Sequence, residues 1–306
     1  MSDWQPSDAA WSFSRKSMFE NCKREYFYYR FWGQNAKSKW TIFEMRRITT
    51  LAMLKGLVVH KVIVEALKRA RFDSKLSLEE AKELATHIIR TKYMESKLKL
   101  WHISNRPYGK KVSDFTNLFE HYYSHNGVDE RAKQARISAW ESIENLWKSD
   151  LWKEIIESSP SQWATVDSEE FPSFDLDGIK VYSTIDFAHT IDKPTIIDWK
   201  TGSDSSADIS QLVLYSLYAQ QEWGWNPAET KLKLVYMSPE MNIIETIPTP
   251  EKIEEMKNIV RASFAKMMEL EPAFGEADIN NFPSTQNHQS CKWCKFQGIC
   301  EGAKQG

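Results

Sequence analysis

The sequence predicts an α/β protein in which a mixed sheet is flanked by helices, and the prediction rests on a change of period along the chain. Up to the Ser-Ser-Pro-Ser stretch at residues 158–161, apolar side chains recur every three or four positions, the spacing of a helix with one buried face. Beyond it they alternate, and the order strand, strand, helix, strand is that of a mixed core with helices packed on it. A chain of 306 residues, 42% of them apolar, has enough material for such a core, as one large domain or two ordinary ones.

In the helical half, Ser77-Leu78-Glu79-Glu80 has the form of a capping box, in which the Ser77 hydroxyl and the Glu80 carboxylate satisfy free amides of a first turn. Trp140, Ile143, Trp147, Leu151 and Ile155 form one apolar stripe and predict a single long helix. After the seam, Ile179, Val181, Ile185 and Phe187 face one way and Lys180, Tyr182, Thr184 and Asp186 the other, a strand with one wet face. Asp192-Lys193-Pro194 supplies a turn, and Thr195 to Gly202 follows as a second strand, so the two are expected to pair as a hairpin. A helix is predicted from Asp208 to about Trp223, a third strand over Lys231 to Met237, and a further helix from Pro250 to Leu270. These elements divide the chain into an N-terminal segment at 1–50, a helical region at 51–160, a sheet core at 161–250, and a C-terminal helix and tail at 251–306.

Composition narrows the setting. The first residues, Met-Ser-Asp-Trp-Gln-Pro-Ser-Asp, carry neither a basic start nor an apolar run, and no stretch approaches 18 uninterrupted apolar residues. Neither export nor membrane insertion is indicated, and a cytoplasmic protein is expected. The net charge of -2 neither requires nor forbids a nucleic-acid partner. Basic residues gather at Arg15, Lys16, Lys23 and Arg24 and at Arg131, Lys133 and Arg136, as phosphate contacts or as solvated helix faces. Trp32, Trp40 and Trp101 lie among basic residues and have the chemistry to stack on unpaired bases, the alternative being the core. No G-x-x-x-x-G-K-[ST] phosphate loop occurs, so no helicase motor is visible and unwinding would need a partner subunit.

Asp198 and Lys200 are two residues apart, and on a strand both project from one face. Asp186 lies on the wet face of the preceding strand, so a hairpin would bring the three together. Two carboxylates forced close leave one of them protonated unless a divalent cation sits between them, and hard oxygen ligands suit Mg2+ or Mn2+. Such an ion lowers the pKa of a bound water and orients a phosphodiester; Lys200 beside it would stabilise the growing charge or position the attacking water. On spacing alone, Asp-x-Lys is also the pattern of a surface ion pair. Its neighbours extend it: Gly56-Leu-Val-Val-His60 opens a helical segment that can aim His60 at the same ion, and Gln211 and Tyr215, four apart, share a helix face.

That ordered set resembles the RecB-like branch of the PD-(D/E)xK nucleases, whose pattern is a Gly-x-x-x-His helix, a strand Asp, an Asp-x-Lys strand with Thr-Gly after it, and a Gln-x-x-x-Tyr helix. Here these are Gly56 to His60, Asp186, Asp198-Trp199-Lys200-Thr201-Gly202, and Gln211 to Tyr215. The resemblance implies a restriction-endonuclease-like core with a helical insertion. It implies His60, Asp186 and Asp198 as ligands of a catalytic Mg2+ or Mn2+, the Trp199 carbonyl assisting, Lys200 as a catalytic residue, and Gln211 with Tyr215 contacting substrate or supporting the site. The implied activity is a metal-dependent deoxyribonuclease acting on single-stranded DNA or DNA ends, in recombination, repair, replication, or phage or CRISPR defence. Where family members often carry Gly-Arg before the strand Asp, this chain has Ser183-Thr184, and the acidic residue many carry upstream corresponds to Glu169 or Glu170. The rival class is a non-catalytic DNA-binding or scaffolding subunit of a nuclease, helicase or defence complex.

Three of the chain's four cysteines, Cys291, Cys294 and Cys300, sit in its tail, and the fourth is Cys22. In a reducing compartment a CxxC with a third cysteine nearby points to a metal or redox role rather than to disulfides. Cys22, then 268 residues, then Cys291-x2-Cys294-x5-Cys300 resembles the split four-cysteine site of the family's iron-sulfur members, which include the AddB nuclease subunit and the CRISPR-associated RecB-like exonucleases. There the first cysteine follows a Ser-x-Ser helix start, here Ser12-Phe13-Ser14, and is trailed by aromatics, here Tyr26 to Tyr29. The resemblance implies a [4Fe-4S] cluster that clasps the ends of the chain, with a structural Zn2+ as the alternative occupant.

Overall fold

The computed structural model describes residues 9–31, 39–102, 104–166, 172–202, 206–271 and 277–305. Trp32, Glu169 and Glu170 lie outside the described residues, as does the side chain of Trp40. The first half of the chain contains helices α1 (Phe13–Asn21), α2 (Lys23–Arg30) and α3 (Lys39–Arg46), strand β1 (Ile48–Thr49), then α4 (Leu51–Ala70) and α5 (Leu78–Lys97). Strand β2 (Asn117–Leu118) leads to α6 (Phe119–Tyr122), α7 (Val128–Trp147) and α8 (Asp150–Glu157). The second half begins with strands β3 (Trp163–Val166), β4 (Ser173–Leu176), β5 (Ile179–Tyr182), β6 (Phe187–His189) and β7 (Thr195–Lys200). It continues through α9 (Ser206–Trp223), β8 (Lys231–Tyr236), β9 (Asn242–Thr246), α10 (Pro250–Met268) and α11 (His288–Cys291). Two compact units result: one of Met1–Leu51, Lys92–Val128 and Val260–Gly306, the other of Ala52–Thr91 and Asp129–Ile259.

The second unit is built on a five-stranded sheet in the order β3-β6-β7-β8-β9. The expected hairpin is present: β6 pairs antiparallel with β7, Phe187 opposite Ile197. β7 then pairs parallel with β8 through α9, the crossover that a parallel neighbour requires. β9 closes the far edge antiparallel to β8. The sheet is therefore mixed, with helices packed on it, as the change of period predicts.

Two local expectations are corrected. The predicted strand from 178 to 187 is two strands: β5 pairs with β4 in a separate two-stranded sheet, and the chain restarts pairing only at Phe187. Asp177-Gly178, with φ angles of 54° and 82°, form the tight turn that folds β5 back on β4, so β5 is taken up in that separate pair. The predicted single helix through Trp140 and Ile155 is also two. The Ser149 hydroxyl accepts from Trp152 N–H at 3.1 Å and donates to Leu146 O at 2.7 Å, so one helix ends and the next begins on one side chain. Trp147 stacks on Trp152 across the break, with ring centroids 4.3 Å apart. The Ser77 capping box forms as expected: Glu80 N–H donates to the Ser77 hydroxyl at 3.2 Å and Ser77 N–H to the Glu80 carboxylate at 2.9 Å.

The first unit is mainly helical and draws α1 and α2 onto the cysteine tail. Trp11, fully buried, donates its indole N–H to Ser263 Oγ at 2.8 Å. Phe27 and Phe31 pack on Phe282, with centroids 5.2 and 5.5 Å apart, and Tyr28 packs on Phe296 at 5.5 Å. Arg24 donates through Nε to the Phe282 carbonyl at 2.6 Å, and Lys16 pairs with Glu20 at 2.6 Å, so much of the first basic cluster is used in structure. In the other cluster Lys133 pairs with Glu130 at 3.1 Å and Arg136 lies over the Trp140 ring at 4.9 Å. Trp101 is only 4% exposed and packs on Tyr122, a core residue rather than a surface for bases. Among the described residues no helix is long and apolar enough to cross a membrane.

Candidate active site

β7 is buried along its first five residues and only Lys200 at its end is half-buried. A strand covered on both faces holds a carboxylate only where something answers its charge. Asp198 is 5% exposed, and Lys200 Nζ lies 2.7 Å from its Oδ2. That oxygen is nonetheless without a well-directed hydrogen bond, so the lysine supplies charge more than it supplies geometry. Lys200 also donates to Gln211 Oε1 at 3.3 Å, and Gln211 donates through Nε2 to the Tyr215 hydroxyl at 2.6 Å. One turn of α9 thus holds the amide that steers the lysine.

Asp186 immediately precedes β6. Its Oδ2 accepts from Trp199 N–H at 2.9 Å and its Oδ1 lies 3.3 Å from His60 Nδ1. The other ring nitrogen of His60 is 2.7 Å from the Trp199 carbonyl. Carboxylate and carbonyl oxygens accept only, so a ring nitrogen that carries a proton donates to the oxygen it faces. Burial alone would lower the His60 pKa, but the Asp186 charge and hydrogen bond, with Asp198 and the Trp199 carbonyl, carry it up to about 9. Burial likewise pushes Asp186 up, yet His60, the Trp199 N–H and Lys200 outweigh it and hold the carboxyl below its ordinary value. Asp198 moves the other way: burial, then the Asp186 charge, raise it, and Lys200 and His60 offset this only in part.

The structure therefore brings His60, Asp186, Asp198, Lys200, Gln211 and Tyr215 into one connected set. It adds residues that the sequence reading missed. Lys55 Nζ donates to the Thr201 carbonyl at 2.7 Å and to Ser138 Oγ at 3.4 Å, which ties α4 to the residue after β7. A Cβ at Gly56 would lie 3.2 Å from Thr201 Oγ1, so the glycine permits the same approach. The available signal was Lys55 itself, a basic residue directly before the motif glycine.

Among the described residues no group of three or more His, Cys, Asp or Glu side chains is gathered closely enough to hold a metal ion, neither around Asp186 and Asp198 nor around the cysteines; both His60 nitrogens face protein oxygens, of Asp186 and Trp199. The donor chemistry still fits a hard divalent cation. The half-buried Asp186 lies close enough for its charge to raise the buried Asp198, one oxygen of Asp198 lacks a directed partner, and a carbonyl and an imidazole adjoin them.

The four cysteines are free thiols and all four line one pocket, together with Glu25, Tyr28 and Phe296. Cys22 sits at the junction of α1 and α2. Cys291 ends α11, and Cys294 N–H donates back to the Cys291 carbonyl at 3.2 Å, a tight turn between the two cysteines. Burial raises the Cys291 pKa, and the Cys22 and Cys300 sulfurs add to it. Burial and the Glu25 charge carry Cys294 up to about 12. Thiols so placed stay protonated unless a metal answers the charge; the four line a common pocket without being drawn into a metal-holding group.

No curated protein matches the chain. Among solved structures, the crystal structure of SSO0001 is similar at 18% identity over 60% of this chain and 79% of that one, with a TM-score of 0.30, too low to carry an argument. A sequence profile for the PD-(D/E)XK nuclease superfamily matches residues 10–301, a span that includes every side chain of both sites, and the chain therefore belongs to that superfamily.

Proposed function

We propose that the protein is a metal-dependent DNA nuclease of the RecB-like, iron-sulfur branch, acting on single-stranded DNA or DNA ends. The observation that carries the reading is the connected set in which His60 meets Asp186 and Trp199 while Lys200 meets Asp198 and Gln211. Asp186, Asp198 and His60, with the Trp199 carbonyl, would hold Mg2+ or Mn2+, His60 giving up one of its present hydrogen bonds to do so. When bound, the ion supplies an activated water and neutralises charge on the phosphate. Lys200 presents its ammonium to the phosphoryl oxygens as their charge grows. Gln211 fixes the direction of that ammonium, and Tyr215, 5% exposed, acts through Gln211 as a positioning residue. Lys55 holds the Thr201 carbonyl and so keeps the end of β7 in place.

Cys22, Cys291, Cys294 and Cys300 would carry a [4Fe-4S] cluster of structural role, with DNA as the partner and any helicase supplied in trans. The test is incubation of anaerobically purified protein with labelled single- and double-stranded DNA in Mn2+ or in EDTA. Cleavage is expected in Mn2+ alone, and Lys200→Ala should abolish it while leaving DNA binding nearly intact, because phosphate contacts spread over many basic residues dominate affinity. Wild-type cleavage by that variant would remove Lys200 from the mechanism, and no cleavage by the parent under any of these conditions would leave the non-catalytic subunit.

A further inference from the structure

The segment from Lys97 to Ser113 contains Lys97, Lys99, Arg106, Lys110 and Lys111 and no acidic residue. It belongs to the helical unit and is held at both ends. On one side Trp101 is buried, and Asn105 donates its side-chain amide to the Leu98 carbonyl at 3.2 Å. On the other Val112 is buried, and Asp114 accepts from Lys111 N–H at 2.9 Å. Between these anchors Lys110 N–H donates to the Pro107 carbonyl at 3.2 Å across Tyr108 and Gly109, and Gly109 has φ of 77°, the backbone of a tight turn that needs glycine at its third position. Tyr108 stands at the tip of that turn with its side chain fully exposed, at 106% of the reference value. Lys110 and Lys111, next in the chain, are exposed, as is Lys99 earlier in the same segment.

We propose that this turn is a contact for single-stranded nucleic acid, in which the Tyr108 ring stacks on an unpaired base while Lys99, Lys110 and Lys111 engage the flanking phosphates. An aromatic ring on a fixed turn is presented with little conformational freedom to lose, and stacking needs a base whose face is open, which a duplex does not offer. A protein partner is the weaker fit, because the segment offers five cations and no acidic residue, a charge that phosphates answer and that the core of a protein interface is depleted in. The proposal rests on the nuclease reading only in the choice of DNA as the probe.

The experiment is fluorescence anisotropy of a dye-labelled oligothymidylate with the full chain in EDTA, so that binding is read without cleavage. Tyr108→Ala is expected to weaken binding about tenfold, within the range for one stacked base, and Tyr108→Phe to restore it. Replacing Lys110 and Lys111 together by Ala should flatten the dependence of log affinity on log salt by roughly 1.4, the single-strand value for two phosphates. A duplex of the same length should be insensitive to Tyr108→Ala. Unchanged oligothymidylate affinity in Tyr108→Ala, or an equal loss for duplex, would overturn the proposal; so would displacement of the oligonucleotide by polyglutamate with equal ease from both proteins. Because the readout needs no hydrolysis, a protein that binds through Tyr108 but never cuts would sink the nuclease reading alone.

Discussion

Asp198 shows how one side chain can be legible in sequence while its surroundings are not. Its two-residue spacing from Lys200 on a strand places both on one face, and they meet at 2.7 Å. The contact of Lys55 with Thr201 spans 146 residues and has no local signature, because it exists only once α4 lies against the end of β7. A second buried group, His189, carries a pH consequence. Burial pushes its imidazole down to about 4, with Lys233 and Lys231 adding to the shift, and its Nε2 has no hydrogen-bond partner. The folded state thus binds the proton more weakly than the unfolded chain, whose histidine titrates at about 6.5. Stability from this group is full above about pH 6.5 and is lost as pH falls towards about 4. His189→Asn, which keeps an acceptor for Ile191 N–H, should remove that component. Chemical denaturation at successive pH values should show the wild type losing on the order of 3 kcal/mol relative to the variant across the interval.

At the scale of elements, parity reasoning succeeded where a strand is continuous and failed where a turn intervened. The β6–β7 pair and the helix α9 follow from alternation and from helical spacing. Asp186 does not: β5 ends at Tyr182 and pairing resumes at Phe187, so the loop between them aims the carboxylate, not the alternation that begins at Ile179. The Asp-Gly pair at 177–178 held the signal for the β4–β5 turn, which hands β5 to a different sheet. Ser149 similarly breaks what an apolar stripe presents as one helix, since a stripe is silent about where caps interrupt it. The tail offers a sharper test of local fit. A Cβ at Gly302 would lie 2.6 Å from Ser284 Oγ and 2.7 Å from Ser284 Cβ, and both positions adjoin the cysteine pocket. Gly302→Ala should lower stability by about 1 to 3 kcal/mol through overpacking, read by thermal denaturation. Ser284→Ala leaves the offending Cβ and should not relieve it, whereas Ser284→Gly should.

For the whole molecule the distribution of cysteines has the widest consequence. Cys22 reaches the pocket of Cys291, Cys294 and Cys300 because α1 and α2 are already bound to the tail through Trp11, Arg24 and the aromatic cluster around Phe282. If the thiols hold a cluster, metal binding and folding of this unit are linked. Anaerobically purified wild type should then be brown, with iron and sulfide in equal amounts, and Cys22→Ser should be colourless and melt at lower temperature. Since the aromatic and hydrogen-bonded ties remain, the variant should keep its helical circular dichroism. A colourless wild type with one zinc per chain would replace the cluster by a structural zinc, and a metal-free protein would remove the clasp.

The sequence by itself determined the α/β class, most elements, the kinds of donor available and their order along the chain. Those properties depend on neighbours a few residues apart, where periodic burial, capping and turn sterics act. Only the tertiary structure decided that His60 spends both nitrogens on Asp186 and Trp199, that Lys55 holds Thr201, that Tyr108 stands clear of the surface, and that Cys22 lines one pocket with three cysteines from the far end. Those contacts join segments far apart in sequence. The apolar burial that drives them together is non-directional, so the partners are chosen by how whole elements pack.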